Sequence, residues 1–143
     1  FPDVILILVG INDFNGDVPT GSPNLTGPAD FAADNFAKSY EALILNTTYT
    51  YQTAKIYCLN ITFAKNKYTT MVANKGGSRL YEYRKMIDEI AAAYECNVIH
   101  LNRLGVGEIN MDKCSSDKLH PNAKMMSMIA NQCYNEMMAS NCF

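Results

Sequence analysis

Phe1-Pro2-Asp3-Val4-Ile5-Leu6-Ile7-Leu8-Val9-Gly10-Ile11-Asn12-Asp13 is the stretch whose reading decides the fold. From Val4 to Val9 it is apolar without a break and rich in β-branched residues, and it then gives way to Gly10 and the polar pair Asn12-Asp13. A run of that kind reads as a strand buried on both faces, in the middle of a parallel sheet. In open α/β sheets ligands bind just beyond the carboxyl ends of the strands, which puts Gly10 and Asn12 at the edge where chemistry is expected. A central strand needs a neighbour on each side, and this one opens the sequence.

The remainder of the chain supplies what such a strand needs. Its 143 residues suit one domain with a core of its own. Hydrophobic residues make up 48% and charged residues 18%, a globular composition. The net charge of −2, with no Lys/Arg cluster, argues against a nucleic-acid partner. No apolar stretch approaches the ~18 residues that span a bilayer, so no transmembrane segment is expected. Compartment is left open, because Phe1 is not an initiator methionine and a signal peptide could have been removed. Sequons begin at Asn24, Asn46 and Asn60, but the abundance of Asn, Ser and Thr makes them weak evidence for secretion, and Asn60 directly follows a buried strand.

Five cysteines, Cys58, Cys96, Cys114, Cys133 and Cys142, show no CxxC spacing and no paired histidines, which argues against a zinc or thioredoxin-type site. Cys58 and Cys133 read as small core hydrophobes. Cys114 and Cys142 could pair in an oxidising compartment.

Asn15 to Asn24 is dense in turn residues and reads as a loop leaving the first strand. Gly27-Pro28 should start a helix, with Asp30 in its first turn and Ala33, Phe36, Ala37, Tyr40, Leu43 and Ile44 on its apolar face. The Thr- and Tyr-rich stretch Asn46 to Thr53 favours a strand by propensity. The helix is nonetheless extended to about Tyr51, because Lys55 to Asn60 is the better strand and a crossover must precede it. Phe63 to Ser78 is a long loop. A second helix carries Leu80, Tyr83, Ile87, Ile90, Ala91 and Tyr94 on its buried face, and Asn97 to Leu101 is the third strand. After an irregular stretch from Gly105 to Leu119, Pro121 opens a last helix with Met126, Ile129, Ala130, Cys133 and Met137 as its buried stripe. The order β-α-β-α-β-α argues for a parallel sheet covered by helices.

Three loops then converge at one sheet edge: the Asn12 turn, the Phe63 to Ser78 segment, and the stretch with Asp117 and His120. At a three-residue spacing the Asp117 carboxylate can hold one ring nitrogen of His120 and leave the other to act as a base. The Asn12 amide can donate to an oxyanion. Each feature has a plainer explanation, helix capping for Asp117 and turn chemistry for Asn12-Asp13, and it is their joint occurrence that points to catalysis. Asp13 either meets substrate or anchors the loop backbone. His100, inside a strand, is expected to be structural.

Residues Gly10-Ile11-Asn12-Asp13 resemble the G-x-N-D block of the SGNH (GDSL-type) hydrolases, and Asp117-Lys118-Leu119-His120-Pro121 resembles their D-x-x-H-P block. The resemblance covers essentially the whole chain. It implies a flavodoxin-like three-layer α/β/α sandwich with a parallel sheet, of which residues 1–143 supply the later β-α-β-α-β-α part. It further implies hydrolysis of acyl esters or acetylated sugars by a Ser-His-Asp mechanism. Asn12 would be the oxyanion donor, His120 the base and Asp117 its orienter; Gly10 would allow the tight turn and, with Asp13, stand on the substrate-binding side. No metal or organic cofactor is implied.

The family's Gly-Asp-Ser block, which carries the nucleophile, and its second-block glycine do not occur in this sequence. Ser22, Ser39, Ser78, Ser115, Ser116, Ser127 and Ser140 lack that context. The expectation is therefore an esterase domain whose serine lies on an upstream segment, and this segment alone should be inactive. The alternative is a non-catalytic domain binding a carbohydrate or acylated ligand. The expected partners are a small ester substrate and, along the first strand's unpaired edge, either the missing N-terminal segment or a second chain.

Overall fold

A computed structural model describes residues 1–26, 34–62, 71–107 and 109–140. Three parallel strands, β1 (Val4–Ile7), β2 (Lys55–Leu59) and β3 (Asn97–Ile99), form a sheet in the order β1-β2-β3. Ile7 pairs with Cys58, and Cys58 in turn with Val98. A short helix α1 (Ile11–Asn15) follows β1; α2 (Phe36–Thr50) and α3 (Leu80–Ala93) are the two crossovers, and α4 (Ala123–Ala139) closes the chain. This is the α/β architecture that the alternation of strand and helix patterns predicts, with helices flanking a parallel sheet.

Side chains alternate across the strands and separate two cores. Ile7, Ile56 and Cys58 pack under α2 and α3 with Phe36, Tyr40, Tyr83, Ile87 and Ile90. Tyr57, Leu59 and Ile99 pack under α4 with Met125, Ile129 and Cys133. The central strand is β2, buried from Ile56 to Leu59. The expectation that β1 is buried on both faces is corrected: it pairs only with β2 among the described residues, and Leu6 is 48% exposed. The physical reason is that α2 and α3 cover the Ile5 and Ile7 side, whereas α4 reaches Val4 but not Leu6.

Several boundaries shift. The expected helix start at Gly27-Pro28 lies outside the described residues; Asp34 and Asn35 are non-helical, and the Asn35 side chain caps α2 by accepting from the Lys38 N–H at 3.0 Å. At its other end α2 runs to Thr50, as the need for a crossover requires. Strand propensity is overridden there, with the Thr47 and Thr48 hydroxyls donating to the carbonyls of Leu43 and Ile44 one turn back. The Gly10 to Asp13 turn is the start of α1 rather than a simple loop. β3 ends at Ile99, and Leu101–Arg103 forms a 3-10 turn.

The last helix is also corrected. Asn122, not Pro121, marks its boundary, and the buried residues are Met125, Ile129 and Cys133, whereas Met126 and Ala130 face outward. Ile129, Cys133 and Met137 of the expected stripe do pack on the core, and Met125, four residues before Ile129, takes the place expected for Met126.

Cys58, Cys114 and Cys133 are buried free thiols, while Cys142 lies outside the described residues. Asn60 is 1% exposed; its N–H donates to the Ile99 carbonyl at 3.1 Å and its Oδ1 accepts from the Asn102 N–H at 3.4 Å. Asn24 and Asn46 are exposed. Among the described residues no helix is long and apolar enough to cross a membrane.

Candidate active site

The carboxyl ends of the strands carry the residues singled out from the sequence. Gly10 ends the first strand segment at φ +110°, a conformation that side chains disfavour. A Cβ at Gly10 would also lie 2.9 Å from both Ile61 Cδ1 and Phe36 Cε2. Glycine is thus needed twice, for the turn and for close packing, and it lets α1 begin directly above the core. Its carbonyl accepts the Phe14 N–H at 3.0 Å. Asn12, in the first turn of α1, is exposed, and Asp13 beside it is half-buried, its carbonyl accepting the Val18 N–H at 3.0 Å.

At the other end of the chain, Asp117 and His120 are joined directly. His120 Nδ1 lies 2.6 Å from Asp117 Oδ2. Asp117 Oδ1 accepts from the backbone N–H groups of His120 at 2.8 Å and Leu119 at 3.0 Å, and from the buried Ser115 hydroxyl at 3.1 Å. Lys118 adopts φ +60° to bring those N–H groups round to one oxygen, a local cost of about 1 kcal/mol. The backbone bond from His120, then its ring and the Leu119 N–H, hold the Asp117 carboxyl well below the usual carboxylate range. An ionised Asp117 fixes the imidazole with Nδ1–H toward it, which turns Nε2 outward as the free basic nitrogen. His120 is 77% exposed, so that nitrogen is open to a substrate.

Helix capping does not explain this pair. Asn122 caps α4 by accepting the Met125 N–H at 3.1 Å, and leaves Asp117 to its own loop.

A cavity of about 100 Å³ lies between the two motifs, lined by Leu8, Val9, Ile11, Leu101, Leu119 and Pro121 among others. Ile11 precedes Asn12, and Leu119 and Pro121 flank His120, so both motifs contribute to one apolar wall. The structure brings Asp117 and His120 into contact; Asn12 is not in contact with them, and its neighbour Ile11 lines the same cavity as Leu119 and Pro121. Of the third expected loop, residues 63–70 lie outside the described residues.

His100 stands beyond β3, with its Nδ1 2.9 Å from the Asn60 amide nitrogen and 4.0 Å from Asp88 Oδ1. Sequence reasoning missed Ser115 as a partner of Asp117; the only signal was its place two residues ahead of the carboxylate. Among the described residues no group of three or more His, Cys, Asp or Glu side chains could hold a metal ion.

A model of the GDSL-like lipase/acylhydrolase family matches residues 1–127. The chain belongs to that family. Solved structures of the same fold include a protein from Lactobacillus plantarum, 22% identical, with a TM-score of 0.82 over 96% of this chain and 67% of the other. A candidate GDSL-like lipase from Bacteroides ovatus is 21% identical, with a TM-score of 0.66 over 96% of this chain and 55% of its own. The acetyl xylan esterase AlAXEase is 21% identical, with a TM-score of 0.57 over 97% and 67% respectively. The chain thus spans between 55% and 67% of the length of these three family-fold structures. No curated protein matches it.

Proposed function

We propose that this domain hydrolyses carboxylic esters by a Ser-His-Asp mechanism. The observation that carries the reading is the 2.6 Å contact of His120 Nδ1 with Asp117 Oδ2, beside a carboxylate held by three further donors. Nε2 of His120 takes the proton from the serine hydroxyl as its oxygen attacks the ester carbonyl. The same nitrogen then returns the proton to the departing alkoxide. Asp117 stabilises the imidazolium formed in between. The Asn12 amide donates to the tetrahedral oxyanion, Gly10 holds the turn that presents it, and Asp13 borders the substrate side. In a second half-reaction water, deprotonated by His120, releases the acid from the acyl-enzyme.

The serine is supplied from a segment upstream of these residues, paired along the edge of β1 and covering Leu6. An unpaired edge and an exposed apolar face on the same strand favour such a partner over solvent. The apolar lining of the cavity, with Leu8, Val9, Ile11, Leu119 and Pro121, favours an uncharged acyl group. Esters of acetylated sugars and other acyl esters are the substrate class.

The test is to label the full-length protein with a fluorophosphonate and to assay p-nitrophenyl acetate and p-nitrophenyl octanoate in parallel. Labelling of one serine with loss of activity, and a preference for the acetate, is the expected outcome. Absence of both labelling and hydrolysis would leave a ligand-binding domain instead.

A further inference from the structure

Asn12 is carried by a helix that should not hold itself in place. α1 has five residues, and isolated helices shorter than about 12–15 residues are marginal in water. The Asn12 side chain is exposed, and the α1 backbone sets the position and direction from which it projects.

That backbone is gripped from across the sequence by the turn at residues 74–78. Asn74 is 6% exposed. Its Nδ2 donates to the Phe14 carbonyl at 3.1 Å, at the end of α1, where the Asp17 N–H also reaches that carbonyl at 3.3 Å, and to the Val18 carbonyl at 3.4 Å. Its Oδ1 accepts the Ser78 N–H at 2.9 Å, while its own N–H and carbonyl close the turn with Ser78 and Gly77 at 2.8 and 3.0 Å. The neighbouring Lys75 N–H donates to Asp17 Oδ1 at 2.7 Å, and Ser78 Oγ accepts the Thr20 N–H at 2.8 Å. Gly76 lies flush against this segment, since a Cβ there would stand 2.3 Å from the Asp17 carbonyl oxygen. Phe14, Asp17, Val18 and Thr20 are therefore all held by one turn, whose Asn74 bonds α1 at its carboxyl end while the buried Phe14 ring, edge-on to Tyr83 at 5.6 Å, anchors the same helix in the core.

We propose that Asn74 is a positioning residue for Asn12: its buried amide clamps the carboxyl end of α1 and so fixes where the Asn12 amide points. This rests on the reading of Asn12 as an oxyanion donor. An active-site donor displaced by about 1 Å can cost a hundredfold in rate, so a clamp on a one-turn helix acts directly on catalysis.

The variant that separates clamping from folding is Asn74→Asp. It is isosteric and keeps the acceptor for Ser78 N–H, but it replaces the donor to the Phe14 and Val18 carbonyls with an oxygen. In the 143-residue chain, the ¹⁵N order parameter of the Asn12 backbone N–H is expected to fall from about 0.85 to below about 0.6, with those of Ile87 and Ile90 unchanged. An unaltered value at Asn12 would overturn the clamp.

In the active full-length protein the same variant should lower kcat about tenfold at constant KM. It should have little further effect in an Asn12→Ala background, because the two act as one unit. An equal loss in both backgrounds would show that Asn74 acts elsewhere and overturn its positioning role. If Asn12→Ala alone leaves kcat unchanged, the oxyanion reading fails, and the order parameter then decides whether the clamp exists.

Discussion

The side chain of Asn122 accepts the backbone N–H of Met125 at 3.1 Å, five residues after Asp117, and this separates the helix cap from the Asp117–His120 pair. Asn122→Ala should therefore cost about 1 kcal/mol in urea denaturation without altering the pH dependence of hydrolysis. Asp117→Asn should do the reverse. In the full-length enzyme kcat is expected to fall by about 10⁴ as the imidazole takes the wrong tautomer, with a small change in stability.

The depressed acidity of Asp117 has a defined sign. Its folded value lies below the unfolded one, so whatever it contributes to the order of the loop is present above the ordinary carboxylate range and is lost as pH falls toward the folded value. A ¹³C titration of the Asp117 carboxyl should show it ionised throughout the neutral and mildly acid range. His120→Ala removes the ring contact but keeps the backbone N–H. It should raise the midpoint only part of the way back, because that backbone bond is the largest cause of the shift.

Glu41 is fully buried on α2 and has no part in the proposed mechanism. It accepts the N–H groups of Asn24 and Leu25 at 2.6 and 2.7 Å and the Tyr94 hydroxyl at 2.8 Å, tying the loop after α1 to both crossover helices. Glu41→Ala strands these donors and should destabilise the chain by about 2–4 kcal/mol. Tyr94→Phe removes a single bond and should cost about 1 kcal/mol, measured in the same denaturation experiment.

Gly10→Ala combines a positive φ with two contacts under 3 Å. A loss of about 2–3 kcal/mol is expected, read as a lower Tm. A variant with unchanged stability would mean that Phe36 and Ile61 yield more easily than their packing implies.

The fold was legible where periodicity was strong. The stripe Leu80, Tyr83, Ile87, Ile90 and Ala91 placed α3 correctly because that face is buried while Lys85 and Glu89 on the other are exposed. β1 misled because a run of apolar residues does not say how many of them find neighbours, and Leu6 finds few. In α4 the stripe was legible at Ile129 and Cys133, but Met125 and Met126 are chemically alike, and the one that lies four residues before Ile129 is the buried one. Within the candidate site, Asp117 and His120 were legible from local spacing. Asn74 and Ser115 were not: Asn74 meets Phe14 across 60 residues, and Ser115 looks like any serine in an irregular stretch. Hydrogen bonds of that kind leave no periodic trace.

The burial of Asn60 makes the sequon Asn60-Ile61-Thr62 a clock on folding. Its side chain faces Asn102 and His100, so a glycosyltransferase can read it only before β3 docks on β2. In a glycosylating compartment the two events compete. A chain that receives a sugar at Asn60 has lost the race and can no longer close its third strand, whereas sugars at the exposed Asn24 and Asn46 would leave the sheet untouched. Occupancy at Asn60 would thus count the molecules that were modified before they folded.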